Sequence, residues 1–194
     1  MSETDENART GTARGGVVEA TLAFLRSEAG KEGEARVMER LSPEVAEAVR
    51  GVGPSDEVPL DRVFELWRSV DQELGPHDPD WMERAGAFSI ESAGMQHYGG
   101  IVGKPSPQEF LTQRISLFRL FYRSGQMEVV WTEAGSALLR LVDFGPSDPL
   151  FCRRQTGGLR RALGLARGGE PRVRHVRCVH EGDAFCEWAL GWEG

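Results

Sequence analysis

Three cysteines and two neighbouring histidines are the residues of this sequence whose types and spacing best suit metal chemistry. Cys152, Cys178 and Cys186 are the only cysteines, and His175 and His180 stand on either side of Cys178. Thiolate sulfur and imidazole nitrogen are common ligands of Zn²⁺, usually in sets of four. Three sulfurs and one nitrogen close the shell and leave no place for a reactive water, so a zinc ion bound by these residues would be structural.

Hairpin geometry brings two of these cysteines together. Residues 173–179 and 184–190 alternate in the manner of strands around a short polar turn centred on Gly182. Cys178 and Cys186 are equally distant from that centre and therefore face each other across the strands. Directly opposed Cβ atoms lie about 4.5–5.5 Å apart, which suits two ligands of one metal ion.

The strand pattern leaves open which histidine is the fourth ligand. Residues i and i+2 of a strand share a face, which favours His180, whereas His175 needs a bulge or a turn to reach the same side. Buried thiols without metal are the alternative, because free cysteine also packs as a small hydrophobe. A disulfide between Cys178 and Cys186 is geometrically permitted but disfavoured in the cytoplasm.

Composition and charge exclude several classes of protein. The 194 residues suit one domain, and 30 acidic against 23 basic side chains give a net charge of −7. That balance argues against nucleic acid and against an anionic membrane surface as partners. Neither a signal peptide nor a membrane-spanning apolar run is found, so we expect a cytoplasmic protein. The arginine-rich stretch at 150–180 is interpreted as a solvated face paired with acidic helices.

The hydrophobic period changes along the chain and predicts the fold class. Residues 1–15 are polar and predict a disordered tail, and residues 16–194 are expected to form a single domain. Its part 16–124 has helical periodicity, and its part 125–194 contains two hairpins joined by a helix. The sequence therefore predicts an α+β fold in which an N-terminal helical layer packs on a four-stranded antiparallel sheet. The predicted helices lie at 17–30, 34–49, 60–74, around 81–88, 110–121 and 150–166, and the predicted strands at 127–131, 137–142, 173–179 and 184–190.

The C-terminal third resembles the 4-vinyl reductase domain family, which also supplies the sensor domain of phenol- and xylene-responsive transcription activators. The similar stretches are residues 144–158 and 176–188. They contain a cysteine five residues before the glycine of a Thr-Gly pair, a second cysteine 26 residues later and a third 8 residues further on. The resemblance implies a zinc ion on Cys152, Cys178 and Cys186, with His175 at the position of the family's glutamate ligand.

The same resemblance implies a ligand pocket. Trp131 precedes Cys152 by 21 residues, the interval at which the sensor relatives place a tryptophan on the ligand hydroxyl. Their helical histidine has no counterpart at the corresponding interval, and the nearest candidate is His97. We expect a buried cavity for a small apolar or aromatic ligand, lined by Trp131, His97, Phe118, Phe121 and Tyr122. Solid core packing is the alternative.

Over residues 16–192 the chain also resembles an uncharacterised paralogous family of myxobacteria. The function predicted from the sequence is a non-catalytic, zinc-stabilised sensory domain that binds a small molecule, forms a homodimer and signals through an unknown protein partner. The sequence shows neither a nucleophile paired with a base nor a nucleotide-binding motif, so we do not expect an enzyme. The alternative is a structural protein–protein interaction module that binds no ligand.

Overall fold

Helices from the N-terminal part of the chain pack against a four-stranded antiparallel sheet, which confirms the predicted α+β class. The computed structural model describes residues 11–94, 107, 109, 111, 118–145, 147–166 and 170–193. The helices are α1 (Gly15–Arg40), α2 (Pro43–Arg50), α3 (Leu60–Leu74), α4 (Trp81–Ser89) and α5 (Pro149–Leu165), and a π-helical turn, Ile90–Gly94, follows α4. The predicted helix at 110–121 lies largely outside the described residues, of which 118–121 are helical.

The main sheet consists of two hairpins placed side by side. Its strands are β3 (Gln126–Glu133), β4 (Ser136–Val142), β5 (Arg172–Arg177) and β6 (Cys186–Gly191), in the spatial order β3-β4-β6-β5. Every neighbouring pair is antiparallel, so β4 and β6 are central while β3 and β5 form the edges. Alternate residues of β4 are buried, as expected for a strand with one covered face. Helix α5 connects the two hairpins.

A second, two-stranded sheet was not predicted. Strand β1 (Thr12–Arg14) pairs antiparallel with β2 (Glu57–Pro59), and Thr12 and Ala13 are buried. The prediction of a tail over residues 1–15 is therefore wrong for residues 12–15, which form β1 and the first residue of α1. Strands of three residues are too short to show a period of two, and their pairing depends on contacts distant in sequence.

Helices α4 and α5 approach closely because two glycines lie where they cross. A Cβ atom at Gly157 would collide with the backbone carbonyl of Glu83, and one at Gly86 would collide with the carbonyl of Arg154. Only glycine leaves room for backbone contact of this kind. The crossing holds α5 firmly against the helical layer.

The core is aromatic on the side where the helices meet the sheet. The rings of Phe118, Tyr122, Phe144 and Phe151 contact one another, with Phe144 and Phe151 stacked at a centroid distance of 4.1 Å. Such contacts add to the free energy gained by burying apolar area. Within the described ranges, no helix is both long and apolar enough to cross a membrane.

Candidate metal centre and buried cavity

The structure brings three cysteines and one histidine together at the end of the C-terminal hairpin. One ligand atom from each of Cys152, His175, Cys178 and Cys186 lies within 4.8 Å of the others. The three cysteines are buried and the histidine is half-buried. They come from the first turn of α5, from β5, from the residue after β5 and from the first residue of β6. A metal ion bound here would join α5 to both strands.

A β-bulge explains how His175 reaches the cysteines. His175 is opposite Trp188, but Arg177 is opposite Glu187, so the register shifts by one residue between them. Continuing the shifted register places Cys178 opposite Cys186, as the sequence predicts. Bulges re-aim side chains, and this one lies at the position that the sequence required if His175 was to reach the site.

A tight turn fixes the backbone beside Cys178. The N–H of Cys178 donates to the carboxylate of Asp183 at 2.8 Å, and the carbonyl of Cys178 accepts hydrogen bonds from the N–H groups of Glu181 and Asp183. Gly182 has a φ of 95°, the left-handed region in which glycine is favoured. The turn therefore positions Cys178 by its own local bonds.

His180, the other candidate ligand, does not join the cluster. Its side chain is exposed, and its Nε2 lies 2.9 Å from the hydroxyl of Ser147. Of the two histidines that the spacing left open, the structure brings only His175 to the cysteines.

The donor atoms fit a tetrahedral zinc ion. The Sγ atoms of Cys152 and Cys186 are 3.6 Å apart, close to the roughly 3.8 Å between two sulfurs that are each about 2.3 Å from one tetrahedral zinc. The Nε2 atom of His175 is buried and has no hydrogen-bond partner among the described residues. Its ring is held by stacking on Trp188, with centroids 4.7 Å apart. A buried imidazole with an unsatisfied nitrogen, next to three thiols, is the arrangement expected of a metal site without its ion.

The three thiols differ in acidity. The hydrogen bond from Cys152 is the main cause that lowers the pKa of Cys186 to about 4. The same hydrogen bond, together with burial, raises the pKa of Cys152, and burial raises the pKa of Cys178. Cys186 is thus the most acidic of the three thiols in the metal-free protein, and zinc binding would displace protons from the cysteines.

A small, partly open cavity lies between α1, α4 and α5. Its volume is about 40 Å³. Two of the predicted pocket residues, Phe121 and Tyr122, line it, whereas Phe118 lies behind Tyr122 with ring centroids 5.2 Å apart. The complete lining is Gly16, Val17, Gly86, Ser89, Ile90, Phe121, Tyr122, Arg154, Gln155 and Gly158.

Trp131 and His97 were predicted to line the same cavity. Trp131 is instead 42% exposed on edge strand β3 and is absent from the lining. An unbroken strand would turn Trp131 to the buried side with Met127, but the register shifts between Val129 and Trp131 and the remainder of the strand is exposed. His97 lies outside the described residues.

Arg154 is a lining residue that the sequence analysis did not single out. It is only 5% exposed, and its Nη1 atom has no hydrogen-bond partner in the described part of the chain. Its guanidinium lies 5.3 Å from the ring centroid of Trp67, and burial lowers its pKa. The available signal was helical spacing, since Arg154 lies three and four positions from the buried Phe151 and Gly158.

Comparison with known proteins identifies the fold. No family model and no curated protein matches the sequence. An H-NOX (heme-nitric oxide/oxygen binding) protein from K. algicida, in its Fe(II) unliganded form, has a TM-score of 0.74 at 10% identity, over 93% of this chain and 97% of that chain. An H-NOX protein from S. oneidensis, in the Fe(II)NO ligation state, has a TM-score of 0.72 at 14% identity, over 93% of this chain and 99% of that chain. The chain therefore has the H-NOX fold.

This result corrects the resemblance drawn from the sequence. The assignment to the 4-vinyl reductase domain family, and with it the whole-chain resemblance to a myxobacterial family, is wrong, because the matching structures are consistently H-NOX domains. The resemblance depended on two cysteine intervals and a Gly-Asp turn. Those features describe one hairpin and its link to α5, and they do not define the architecture around it.

The small cavity between α1, α4 and α5 does not fit a heme. Pockets for ligands of that kind usually measure roughly 300–1,000 Å³, whereas the cavity between the helices measures about 40 Å³. Heme iron also needs an axial ligand such as histidine. Of the histidines in the described ranges, His77 and His180 are exposed and His175 belongs to the cysteine cluster.

Proposed function

We propose that this chain is a non-catalytic, ligand-binding sensory domain whose fold is stabilised by a structural zinc ion. Zinc would be bound by Cys152, His175, Cys178 and Cys186. The observation that carries the proposal is the convergence of these four ligand atoms within 4.8 Å, with the Nε2 atom of His175 buried and unpaired. A closed set of three sulfurs and one nitrogen supports a structural role rather than catalysis.

The zinc ion would act as a cross-link between the sheet and the helical layer. Cys152 is in α5, which crosses α4, whereas the other three ligands belong to the β5–β6 hairpin. Binding free energy at such a site becomes folding free energy, because the unfolded chain holds no preformed site.

The fold supports the sensory part of the proposal. The names of the matching H-NOX structures describe ligation states rather than a reaction. The partly open cavity beside Phe121 and Tyr122 provides the place for a ligand. A cytoplasmic location, a homodimer and an unidentified protein partner complete the proposal, and light scattering of the purified chain would test the dimer.

Elemental analysis of the purified chain tests the metal site. The protein should be purified without a metal-affinity column and passed through gel filtration before mass spectrometry. We expect about one zinc per chain. Protein without metal, with three titratable thiols, would overturn the zinc site.

Reconstitution with heme tests the cofactor that the fold suggests. Excess heme should be added and the unbound portion removed by gel filtration. We expect no heme absorbance to remain with the protein, because the described cavity cannot hold the ring. Stoichiometric heme retention would contradict this expectation and would indicate a conventional H-NOX protein.

A structural interaction module remains the second candidate function. The observation that favours it is the small size of the cavity, about 40 Å³, beside a well-packed aromatic cluster. A sensor gains thermal stability from its ligand by mass action, whereas an interaction module does not respond to small molecules. A thermal-shift screen of small organic compounds therefore separates the two functions.

A further inference from the structure

Arg154 is a buried charge for which the described part of the chain supplies no counter-ion. None of the ten residues that line its cavity is acidic, and the ion pairs in the described ranges do not include it. Burying a guanidinium without an anion is costly. Because burial of the unpaired guanidinium costs folding free energy, we infer that Arg154 binds a ligand.

Neighbouring arginines show that this situation is particular to Arg154. Arg153, Arg160 and Arg161 leave the same helix on its exposed side and pair with Asp80, Glu83 and Glu91, respectively. Their side chains are 36%, 46% and 43% exposed. The exposed arginines therefore form ion pairs with the acidic residues on and around α4. Arg154, which is buried, faces the cavity instead.

The guanidinium is already positioned for a ligand. The ring of Trp67 lies 5.3 Å below it, and Tyr122 contacts it from the cavity wall. Both contacts restrict the side chain while the Nη1 atom stays unpaired. A donor that is held in place and lacks an acceptor is preorganised for binding, because little entropy is lost when the ligand arrives.

The size and lining of the cavity limit the ligand. One water molecule needs about 10–15 Å³ of such space, so 40 Å³ holds about three waters or one group of three to four heavy atoms. One positive charge matches one negative charge, and a guanidinium binds a carboxylate through parallel N–H bonds. Val17, Ile90 and Phe121 provide apolar contacts for a short hydrocarbon part.

We propose that Arg154 binds the carboxylate of a small organic acid in the cavity between α1, α4 and α5. The inference rests on the proposed ligand-binding function and names the chemical class of its ligand. Tyr122 and Arg154 hold the acid group, and the apolar wall contacts the hydrocarbon part of the acid. The acid is either a short free acid of the size of acetate or the head of a longer chain.

Thermal unfolding in the presence of sodium acetate tests the proposal on the intact chain. Sodium chloride at equal ionic strength controls for salt, and acetamide controls for shape without charge. We expect acetate to raise the melting temperature in proportion to the logarithm of its concentration above Kd, by about 5 °C at ten times Kd, and chloride and acetamide to have no effect. Equal stabilisation by nitrate would overturn a carboxylate as the ligand class.

The source of the acid is distinguished by chain length. Formate, propionate, butyrate and hexanoate are compared at the same concentration. A maximum at formate or acetate indicates a short free acid, whereas tighter binding with each added carbon indicates the head of a longer chain. Absence of binding by every member of the series would overturn the proposal.

Substitution of the arginine locates the effect. Arg154→Met keeps much of the side-chain volume and should abolish the acetate response. Arg153→Met, which removes only exposed contacts with Asp80 and with the carbonyl of Pro79, should retain it. An undiminished response in Arg154→Met would overturn the assignment. The comparison of acetate with acetamide on the unaltered chain still tests the proposal if Arg154→Met does not fold.

Neutral compounds separate this inference from the proposed function. If phenol or acetamide stabilises the chain and no carboxylate does, the ligand-binding function holds and the role of Arg154 is overturned. If neither class has any effect, both are overturned and the interaction module is favoured.

Discussion

Two buried nitrogen atoms without partners lie at opposite sides of helix α5, and they differ in what surrounds them. The imidazole of His175 is beside three thiols, whereas the Nη1 atom of Arg154 faces a cavity without an acidic residue among its described lining. The first site contains a full set of four ligands for a metal ion. The second provides one charge and a shaped space. Unpaired buried atoms therefore mark both sites, but only the surroundings reveal which kind of partner each requires.

The largest expected effect tests the metal side of this comparison. Cys178→Ser removes one of four ligands, so the protein should lose zinc and about 4 kcal/mol of unfolding free energy. Chemical denaturation with parallel metal analysis measures both.

Two histidine variants sharpen the same test. His175→Ala should reproduce the loss of zinc, whereas His180→Ala should retain zinc and stability, because His180 only contacts Ser147 on the surface. Loss of zinc in His180→Ala alone would show that the ligand assignment is wrong.

A variant of intermediate effect tests whether the contact of α5 with α4 can be weakened without loss of the zinc site on the other side of α5. Gly157→Ala places a Cβ against the carbonyl of Glu83 and should separate α4 from α5. We expect a loss of about 2 kcal/mol of unfolding free energy with zinc content unchanged. Equilibrium denaturation and metal analysis check these two results.

A matched glycine provides the control for that variant. Gly51 has open space where a Cβ would lie and no positive φ, so Gly51→Ala should leave stability within about 0.5 kcal/mol of the original. A Gly157→Ala protein as stable as the original would contradict the close contact of the helices.

The smallest expected effect comes from a charge cluster near the surface. Glu73 joins α3 to α1 by accepting hydrogen bonds from Arg36 and Arg40, and the hydrogen bond from Arg36 is the main cause that lowers its pKa from 4.5. The Glu73 side chain is only 10% exposed, but its partners Arg36 and Arg40 are 51% and 35% exposed. Glu73→Gln should therefore cost about 1 kcal/mol at neutral pH, because ion pairs open to solvent on one side contribute little.

The pH dependence of that difference has a definite sign. A carboxylate whose pKa is lower in the folded protein stabilises it above its unfolded pKa, here 4.5, and the benefit is lost as the pH falls through the folded value. The gap between wild type and Glu73→Gln should therefore be constant from pH 6 to 8 and should close in acid. Denaturation curves recorded from pH 8 into the acid region measure this difference in stability. A difference that widens in acid would contradict the assignment.

The sequence was sufficient where the pattern is local and regular. The predicted helix at 60–74 coincides with α3, and counting outward from Gly182 places Cys178 opposite Cys186. Periodicity and turn chemistry determine such features within a few residues of chain. The α+β class follows from them.

The remainder depends on contacts that a single sequence does not display. Strands β1 and β2 pair across more than forty residues, and one inserted residue in β3 turns Trp131 outward. Arg154 looks like any other member of an arginine-rich stretch until the crossing of α4 and α5 buries it. Bulges and helix crossings are tertiary features, so residue types alone could not assign these roles.

Helix α5 also determines how the protein unfolds. Residues two apart on an α-helix point about 200° from each other, so Cys152 turns toward the sheet and Arg154 toward the helical layer, and both side chains are buried. A helix covered on both sides cannot detach while either neighbour stays in place. The central backbone amides of α5 should therefore exchange hydrogen with solvent only through global unfolding, and sheet and helices should unfold as one cooperative unit.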